Sequence, residues 1–340
     1  MTDPVLSVLD LAPVGAGFTP ADALATSTRL VAECERLGYH RYWVAEHHNM
    51  PGIASSAPAV LIAHLAAHTA VIRLGSGGVM LPNHSPRVIA EQFGMLEALH
   101  PGRIDLGLGR APGTDQMTAA ALRRSLAAEG PEDFPRNLME LIGYFDAGPA
   151  QRTPAIQATP GRGYRPALWL LGSSDFSAHL AGRLGLPFSF AHHFSGHNTD
   201  AAIAAYRAAF RPSAVLERPY VMLGVNALCA PTDDEAHYLA APSALAMARL
   251  RQGRPGLYPS PEEAAAHEFT PLEAEIARSW GRNHIHGDPA RVSEGLRQLA
   301  HRTGAQELMI TTVAHDPAHR IRSYRMIAEA MAVSPRPRRT

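Results

Sequence analysis

The sequence predicts a single (β/α)8 barrel, and three observations support that fold class. Eight short apolar runs rich in strand-forming residues alternate with longer stretches of helical periodicity. The runs are apolar at successive positions, as in Leu168–Leu171, which is typical of parallel strands buried on both faces. No G-x-G-x-x-G motif follows the first run, so the competing fold, a doubly wound open sheet, lacks its usual dinucleotide-binding fingerprint.

The predicted strands are, in chain order, Leu6–Leu11, Arg41–His47, Ile72–Met80, Ile104–Arg110, Ala167–Gly172, Phe188–His193, Tyr220–Ala230 and Glu307–Val313. The predicted helices between them are Pro20–Leu37, Pro58–Thr69, Pro86–Leu99, Ser174–Leu184, Asn198–Phe210 and Pro289–Arg302. Proline is favoured in the first turn of a helix, where its missing N–H is not needed. Glycine directly after a helix ends it in the left-handed conformation, and Gly38, Gly185 and Gly304 are placed to do so.

Two longer segments, 111–166 and 231–288, follow the fourth and seventh predicted strands. The second contains helical patterns at Ala236–Arg251 and Pro271–Trp280. Both insertions follow strand carboxyl ends, so they are expected either to cover the catalytic face of the barrel or to form surface decoration or an oligomer contact. We predict one barrel domain over residues 1–333 and a disordered tail over residues 334–340.

Composition predicts a soluble cytoplasmic globular protein. The 340 residues are 46% hydrophobic, and 31 basic residues balance 31 acidic ones, which argues against nucleic-acid binding and a polybasic membrane anchor. The sequence has neither an apolar run long enough to span a bilayer nor a secretory signal pattern at residues 1–30. Two cysteines, Cys34 and Cys229, cannot build a disulfide framework.

All 31 basic residues are arginine, and this excludes several classes of chemistry. Schiff-base and pyridoxal-phosphate enzymes, Walker-type phosphate loops, protein kinases and carbamylated-lysine metal sites all need a lysine. Any bound anion must therefore be held by arginine, hydroxyl groups, backbone N–H groups or histidine.

Polar residues stand where the predicted strands end, so they are expected to converge on one mouth of the barrel. They are Asp10, Glu46–Asn49, Ser76–Gly78, Arg110, Ser173–Ser174, His192–His193 and Thr311–Thr312.

Arg110 and the segment Gly172–Ser177 together predict a phosphate site without lysine. An arginine fork suits a phosphate or carboxylate, and a helix that begins after serines supplies free N–H groups and hydroxyl donors. The alternative is that Ser173 or Ser174 only caps the helix while Arg110 pairs with an acid such as Asp115.

His47 and His48 are candidates for proton transfer, because histidine titrates near neutral pH. Adjacent strand residues point to opposite faces, so one of the two is expected to enter the barrel. A metal site, as in a barrel metallohydrolase, is the alternative, but Leu9–Leu11 lacks the H-x-H of such enzymes. Gly75–Gly78 indicates either the close approach of a flat cofactor or a bend in the barrel.

The motifs together resemble the bacterial luciferase-like flavin monooxygenase superfamily. Arg41–His48 resembles its second-strand signature, Leu74–Pro82 its third-strand segment with a non-proline cis peptide, and Pro101–Arg110 its fourth strand. The resemblance continues through Ser173–Ser177 and Glu307–Thr312 and spans most of residues 5–330. The run from Gly109 to Asp115 is closest to the small single-gene luciferase homologues.

The resemblance implies a (β/α)8 barrel that uses reduced FMN, O2 and a small organic substrate, with a separate NAD(P)H:flavin reductase as supplier. It also implies a homodimer through helices of the second and third βα units. By matching motif, the FMN phosphate would contact Arg110, Ser174 and Ser177, with Ser173 nearby. The flavin ring would lie along Gly77 and Gly78, with Ala191 and His192 on its other side. His47 would be the active-site histidine, and His48 would neighbour the flavin pocket.

The sequence departs from the luciferase pattern at several of these positions. Luciferase has serine and tryptophan where this chain has Ala191 and His192, two alanines at Gly77 and Gly78, and glutamate at Ser173. The expected function is insertion of one oxygen atom into an aldehyde or another hydrophobic carbonyl compound. The alternatives are an F420-dependent hydride-transfer enzyme of the same superfamily and a non-catalytic flavin-binding protein.

Overall fold

The computed structural model describes residues 3–123, 131–146 and 156–335. Strands β1 to β7 follow one another around a parallel sheet, and β9 closes it by pairing with both β7 and β1. The short strand β8 pairs with the end of β7. The fold is therefore a closed (β/α)8 barrel with insertions after the fourth and seventh strands, which confirms the predicted fold class.

The strands are β1 Val5–Asp10, β2 Arg41–Val44, β3 Arg73–Met80, β4 Ile104–Gly109, β5 Ala167–Gly172, β6 Phe188–Phe190, β7 Val221–Cys229, β8 Ile285–Gly287 and β9 Glu307–Thr311. The helices are α1 Pro20–Leu37, α2 Pro58–Ala66, α3 Pro86–Leu99, α4 Gln116–Arg123, α5 Phe134–Phe145, α6 Asp175–Leu184, α7 His192–Ser195, α8 Thr199–Ala209, α9 Asp233–Ala240, α10 Pro242–Arg251, α11 Pro261–Ala266, α12 Pro271–Gly281, α13 Pro289–Thr303 and α14 Pro317–Ala330.

Helix boundaries follow the capping chemistry of the sequence. Thr19 accepts from the backbone of Asp22, whose carboxylate accepts in return, so a capping box begins α1. The predicted terminating glycines, Gly38, Gly185 and Gly304, all adopt left-handed φ values, of 95°, 60° and 63°.

Several predictions differ from the structure. The strand expected at Arg41–His47 ends at Val44, so His47 and His48 lie beyond it and the strand alternation expected for them does not apply. The helix expected at Pro58–Thr69 ends at Ala66. The strand expected at Phe188–His193 ends at Phe190, and His192 begins the short helix α7. The helix expected at Ala236–Arg251 is divided into α9 and α10, because Pro242 cannot donate the backbone hydrogen bond that a continuous helix needs. Helices α11 and α14 and strand β8 are absent from the sequence-based prediction. The expected tail stays a prediction, since residues 336–340 lie outside the described residues.

The barrel interior is layered beneath the strand carboxyl ends. At the amino-terminal end, the Arg41 guanidinium pairs with Asp105 and Glu307, each at 2.8 Å. Above this ionic layer lies an apolar layer that includes Trp43 and Trp169, whose rings meet edge to face at 5.3 Å. These two layers fill the lower barrel with side chains of the described residues, and the cavity lies at the strand carboxyl ends. Within the described ranges, no helix combines the length and apolar character needed to cross a bilayer.

Candidate active site

A cavity of about 570 Å³ lies at the carboxyl ends of the barrel strands. Its lower boundary is the apolar layer of Trp43 and Met309, and its walls are strand ends and the residues that follow them. The second insertion forms the roof through α10 and the segment 255–258. Tyr258 fixes this roof to the β1–α1 loop, because its N–H donates to Val14 at 2.8 Å. Part of the segment 231–288 therefore covers the cavity at the strand carboxyl ends.

Arg110 and the beginning of α6 meet at one side of this cavity. Arg110 follows β4, and Ser173, Ser174 and Ser177 follow or flank the end of the neighbouring strand β5; all four line the cavity. The Arg110 guanidinium carbon lies 4.2 Å from the centre of the Phe176 ring, and Phe176 is in the first turn of α6. The cation and the helix N-terminus are therefore adjacent.

The structural alternatives for these groups are not observed in the described part of the chain. Ser174 is the N-cap residue of α6, but its side chain makes no capping hydrogen bond. Asp115 accepts hydrogen bonds from Thr118 and from the Asn49 amide at 3.3 Å rather than from Arg110. The N–H groups at the start of α6 and the arginine fork thus remain available to an anion.

Glu46 connects the ends of β2 and β3. Its buried carboxylate accepts from His48 Nε2 at 3.0 Å, His84 Nε2 at 2.8 Å and the Met80 N–H at 3.1 Å. Burial opposes ionisation, but the hydrogen bond and charge of His84, together with the hydrogen bonds from His48 and the Met80 N–H, hold the Glu46 pKa below its ordinary value. His48 is thereby turned toward Glu46 and is not among the described residues that line the cavity.

His47 lines the cavity as a neutral imidazole. Burial lowers its pKa to about 4, although the charge of Glu46 opposes the shift. Its Nδ1 atom is buried and forms no hydrogen bond with any described residue. At neutral pH the imidazole therefore has one N–H and one nitrogen lone pair, and it can either donate or accept a hydrogen bond.

Ala191 and His192 are expected from the sequence to line the cavity together. The structure places Ala191 there as expected, but His193 lines the cavity instead of His192. Because α7 begins at His192, the imidazole of His192 turns away and its Nδ1 lies 2.7 Å from Thr199 Oγ1. Burial lowers the pKa of both histidines to about 4. The strand prediction is thus wrong at the point where it decides which histidine faces the cavity.

Gly77 and Gly78 form the opposite wall, on β3, and the peptide bond between them is cis. A side chain at Gly77 would meet Leu9 and Trp43, and one at Gly78 would meet the backbone of Gly107. This wall is consequently flat backbone. In the described part of the chain no cluster of three or more His, Cys, Asp or Glu side chains is arranged to hold a metal ion.

The sequence matches the family model "Luciferase-like monooxygenase" over residues 6–307. The protein YvbT of Bacillus subtilis (strain 168) is 49% identical over 96% of this chain and 96% of its own. A luciferase-like monooxygenase of Escherichia coli (strain K12) is 45% identical, with 96% and 97% covered. An N-acetyl-S-alkylcysteine monooxygenase of B. subtilis is 35% identical, with 97% and 99% covered.

Solved structures show the same architecture. The crystal structure of apo-MsnO8 superposes with a TM-score of 0.90 at 43% identity, covering 98% of this chain and 99% of that one. The oxygenating constituent of 3,6-diketocamphane monooxygenase from Pseudomonas putida, in complex with FMN, gives 0.71 at 19% identity, with 97% and 98% covered. An F420-dependent secondary alcohol dehydrogenase has a TM-score of 0.68 at 14% sequence identity, and the match covers 97% of this chain and 99% of that one. At these low identities, this structure and the preceding one support only the fold. On the family match and the full-length relatives, the chain belongs to the luciferase-like monooxygenase family of oxidoreductases.

Proposed function

We propose that this chain is the oxygenase of a two-component, FMN-dependent monooxygenase. It would insert one atom of O2 into a small hydrophobic organic substrate, such as an aldehyde or another carbonyl compound, and release the other as water. The observation that supports this best is the meeting of Arg110 with the uncapped start of α6 at one side of a largely apolar cavity. A dianionic phosphate fits that place because an arginine guanidinium and the free N–H groups at the start of a helix meet there.

The residues present fit FMN. Arg110, Ser174 and Ser177 would hold the phosphate, with Ser173 beside them. The flat wall at Gly77 and Gly78 accommodates an aromatic ring system, since no side chain projects from it. Ala191 would line the other side, together with His193 in the position expected for His192.

Reduced FMN, when bound, supplies the electrons that activate O2. The chain's own residues would orient the reactants and exclude water. His47 Nδ1 would donate to, or take a proton from, the oxygen at which charge develops during transfer. Glu46 holds His48 and the Met80 backbone, and so positions the strand end on which the cavity wall depends. The roof built by α10 and the segment 255–258 keeps the reaction away from bulk water.

Three further parts of the proposal follow from the family resemblance. A separate NAD(P)H:flavin reductase would deliver the reduced FMN. Two copies of the chain would associate through α2 and α3, which present exposed Val60, Met95 and Leu99. We place the reaction in the cytoplasm, where free thiols such as the buried Cys34 and Cys229 persist.

The cofactor assignment is tested by titration with FMN and F420. We expect the wild-type protein to prefer FMN, and Arg110→Ala to weaken FMN binding by about tenfold to a hundredfold, since a charge-assisted bond is lost. Arg278→Ala, on the exposed face of α12, is the matched control and should bind normally. Equal FMN affinity in Arg110→Ala and wild type would refute the phosphate site.

Oxygen uptake with reduced FMN then separates the remaining functions. Formation of an oxygenated product that depends on the added substrate would support the monooxygenase function. Hydride transfer with reduced F420 would instead identify the deazaflavin enzyme, and tight FMN binding without turnover on any aldehyde or ketone would identify a non-catalytic flavoprotein.

A further inference from the structure

Three polar side chains lie together on the cavity wall formed by β7 and β9. Asn226 on β7 and Thr311 on β9 are register partners, and both line the cavity. Thr311 is only 3% exposed, Asn226 7% and His193 7%. Thr311 Oγ1 is buried and forms no hydrogen bond with any residue that the structure describes, whereas the His193 ring lies against the Gly224 backbone. An unpaired buried polar atom is costly, so this wall is built for a group that is not part of the chain.

Gly224 brings His193 to this wall. A Cβ at Gly224 would lie 2.6 Å from Nδ1 and Cε1 of the His193 ring, so the imidazole fits only because the side chain is absent. Gly224 and Asn226 are two residues apart on one strand and therefore share a face of the sheet. The imidazole of His193 consequently lies next to the Asn226 position on the inner face of β7.

The polar wall lies across the barrel from the glycine wall of β3. In the eight-strand order of the barrel, β7 lies four strands from β3 and therefore opposite Gly77 and Gly78. Above it the cavity is lined by apolar groups of the roof, including Met247, Leu250 and Trp280. The polar groups therefore lie below a mainly apolar roof.

Charge is almost absent from this half of the cavity. The described lining residues include two cations, Arg110 and Arg249, and no carboxylate. Arg249 is already paired with Glu263 at 2.8 Å. A charged substrate group at β7 and β9 would be buried without a counter-ion, which is strongly unfavourable.

We infer that Asn226, Thr311 and His193 form a subsite for an uncharged oxygen group, a carbonyl or a hydroxyl, of a mainly apolar substrate whose hydrocarbon part lies beneath α10. The inference rests on the proposed function and specifies its substrate. The Thr311 hydroxyl and the Asn226 amide can donate to such an oxygen, while the His193 ring can donate to it or accept from a hydroxyl. A site of this kind rejects an analogue that lacks the oxygen, because its own polar groups then stay unpaired.

The test compares three ligands of nearly equal size by equilibrium dialysis against the protein saturated with oxidised FMN. They are 2-acetylnaphthalene, 2-ethylnaphthalene and 2-naphthoate. We expect the ketone to bind about tenfold tighter than the hydrocarbon, and tighter than the carboxylate. Thr311→Val and Asn226→Leu should each reduce the preference for the ketone severalfold. Thr312→Val is the matched control: the Thr312 hydroxyl bonds to Ala227 O and does not line the cavity, so the preference should be unchanged.

Equal binding of ketone and hydrocarbon by the wild type, tightest binding of the carboxylate, or binding of none of the three would overturn the inference without any variant. The FMN dissociation constant, measured in parallel, separates the two proposals. Retained FMN binding without a ketone preference removes the subsite alone, whereas a ketone preference without FMN binding removes the proposed cofactor alone.

Discussion

His47 shows what burial does to a single residue at this site. The ring is held neutral with a pKa of about 4, and its buried Nδ1 atom has no hydrogen-bond partner among the described residues. A structural histidine in a barrel core would be expected to have both nitrogens satisfied. The unsatisfied nitrogen therefore favours a role with a bound reactant, either as proton carrier or as hydrogen-bond donor.

We expect His47→Ala to reduce oxygenation about a hundredfold while FMN affinity changes by less than about threefold, because proton transfer is lost but the phosphate contacts remain. The measurement is product formed per O2 consumed, together with an FMN titration. His68→Ala is the control, because it also removes an imidazole, but from an exposed position at the end of the second βα unit. Unchanged coupling of O2 consumption to product would remove His47 from the reaction.

The residues at the phosphate end of the cavity could be predicted from the sequence because each directly follows a buried strand. To place Arg110, Ser173 and Ser174 it is enough to predict where β4 and β5 end, and both ends are predicted to within one residue. The orientation of His192 and His193 could not be predicted. Because β6 ends at Phe190 and a helix begins at His192, the ring that faces inward is not the one expected for a continuous strand. The bond between Glu46 and His84 joins positions 38 residues apart and leaves no pattern in the sequence.

At the scale of elements, some glycines allow two neighbouring elements to approach closely, and others have no such role. A Cβ at Gly107 on β4 would overlap the Ser76 carbonyl oxygen on β3 and meet Leu171 of β5. A Cβ at Gly143 on α5 would meet nothing within 4 Å. The first glycine is required by the packing of adjacent strands, and the second only lowers helix propensity.

We expect Gly107→Ala to destabilise the protein by about 3 kcal/mol or more, since backbone atoms must move to admit the methyl group. Gly143→Ala should stabilise it by about 0.5–1 kcal/mol, because alanine restricts the unfolded chain and favours the helix. Urea unfolding followed by circular dichroism measures both. A Gly107→Ala protein as stable as wild type would contradict the packing of β3 against β4.

Element prediction succeeded where local chemistry is decisive and failed where it is not. Thr19, Asp288 and Gly304 are caps that the chain specifies locally, and the helices they bound begin or end where predicted to within one residue. Helix α14 has little contrast between its faces, with Arg320 buried against Asp10 at 2.6 Å. A buried arginine reads as a polar surface residue in sequence, so the apolar periodicity of this helix is obscured.

At the scale of the whole molecule, one outer face of the barrel is apolar. Val60 on α2 is 71% exposed and Leu99 on α3 is 64% exposed. Val88, Met95 and Leu99 recur at helical spacing, so they form one stripe along α3 beside α2. A stripe of this kind on adjacent helices is typical of a protein interface.

If this stripe forms the proposed dimer, the double variant Val60→Arg and Leu99→Arg should be monomeric, because the symmetric contact would bury four uncompensated charges. Light scattering coupled to size-exclusion chromatography measures the mass. Leu272→Arg on α12 is the control, since this leucine is exposed elsewhere on the molecule. A wild-type protein that runs as a monomer would contradict the dimer proposal directly.

Acid stability is a second property of the whole molecule, because histidines from several elements are buried in the neutral form. Burial lowers the pKa of His47, His192, His193 and His286 to about 4 and that of His284 to about 3. In the unfolded chain each would titrate near 6.5. Between about pH 6.5 and pH 4 the unfolded state therefore binds more protons than the native state, and the free energy of unfolding falls as the pH falls.

We expect the free energy of unfolding to be nearly constant above pH 7 and to decrease steadily from pH 6.5 to pH 5, by up to about 1.4 kcal/mol per pH unit for each buried histidine, and the urea midpoint to fall with it. Most carboxylates contribute little in this window, because their protonation in the unfolded chain occurs mainly below it. His284→Asn should show a shallower decrease than wild type, since one proton-binding group is removed from the unfolded state. The exposed His68→Asn should keep the wild-type slope. A midpoint that rises toward pH 5, or a slope that is the same in His284→Asn and wild type, would show that these histidines are not buried in the neutral form.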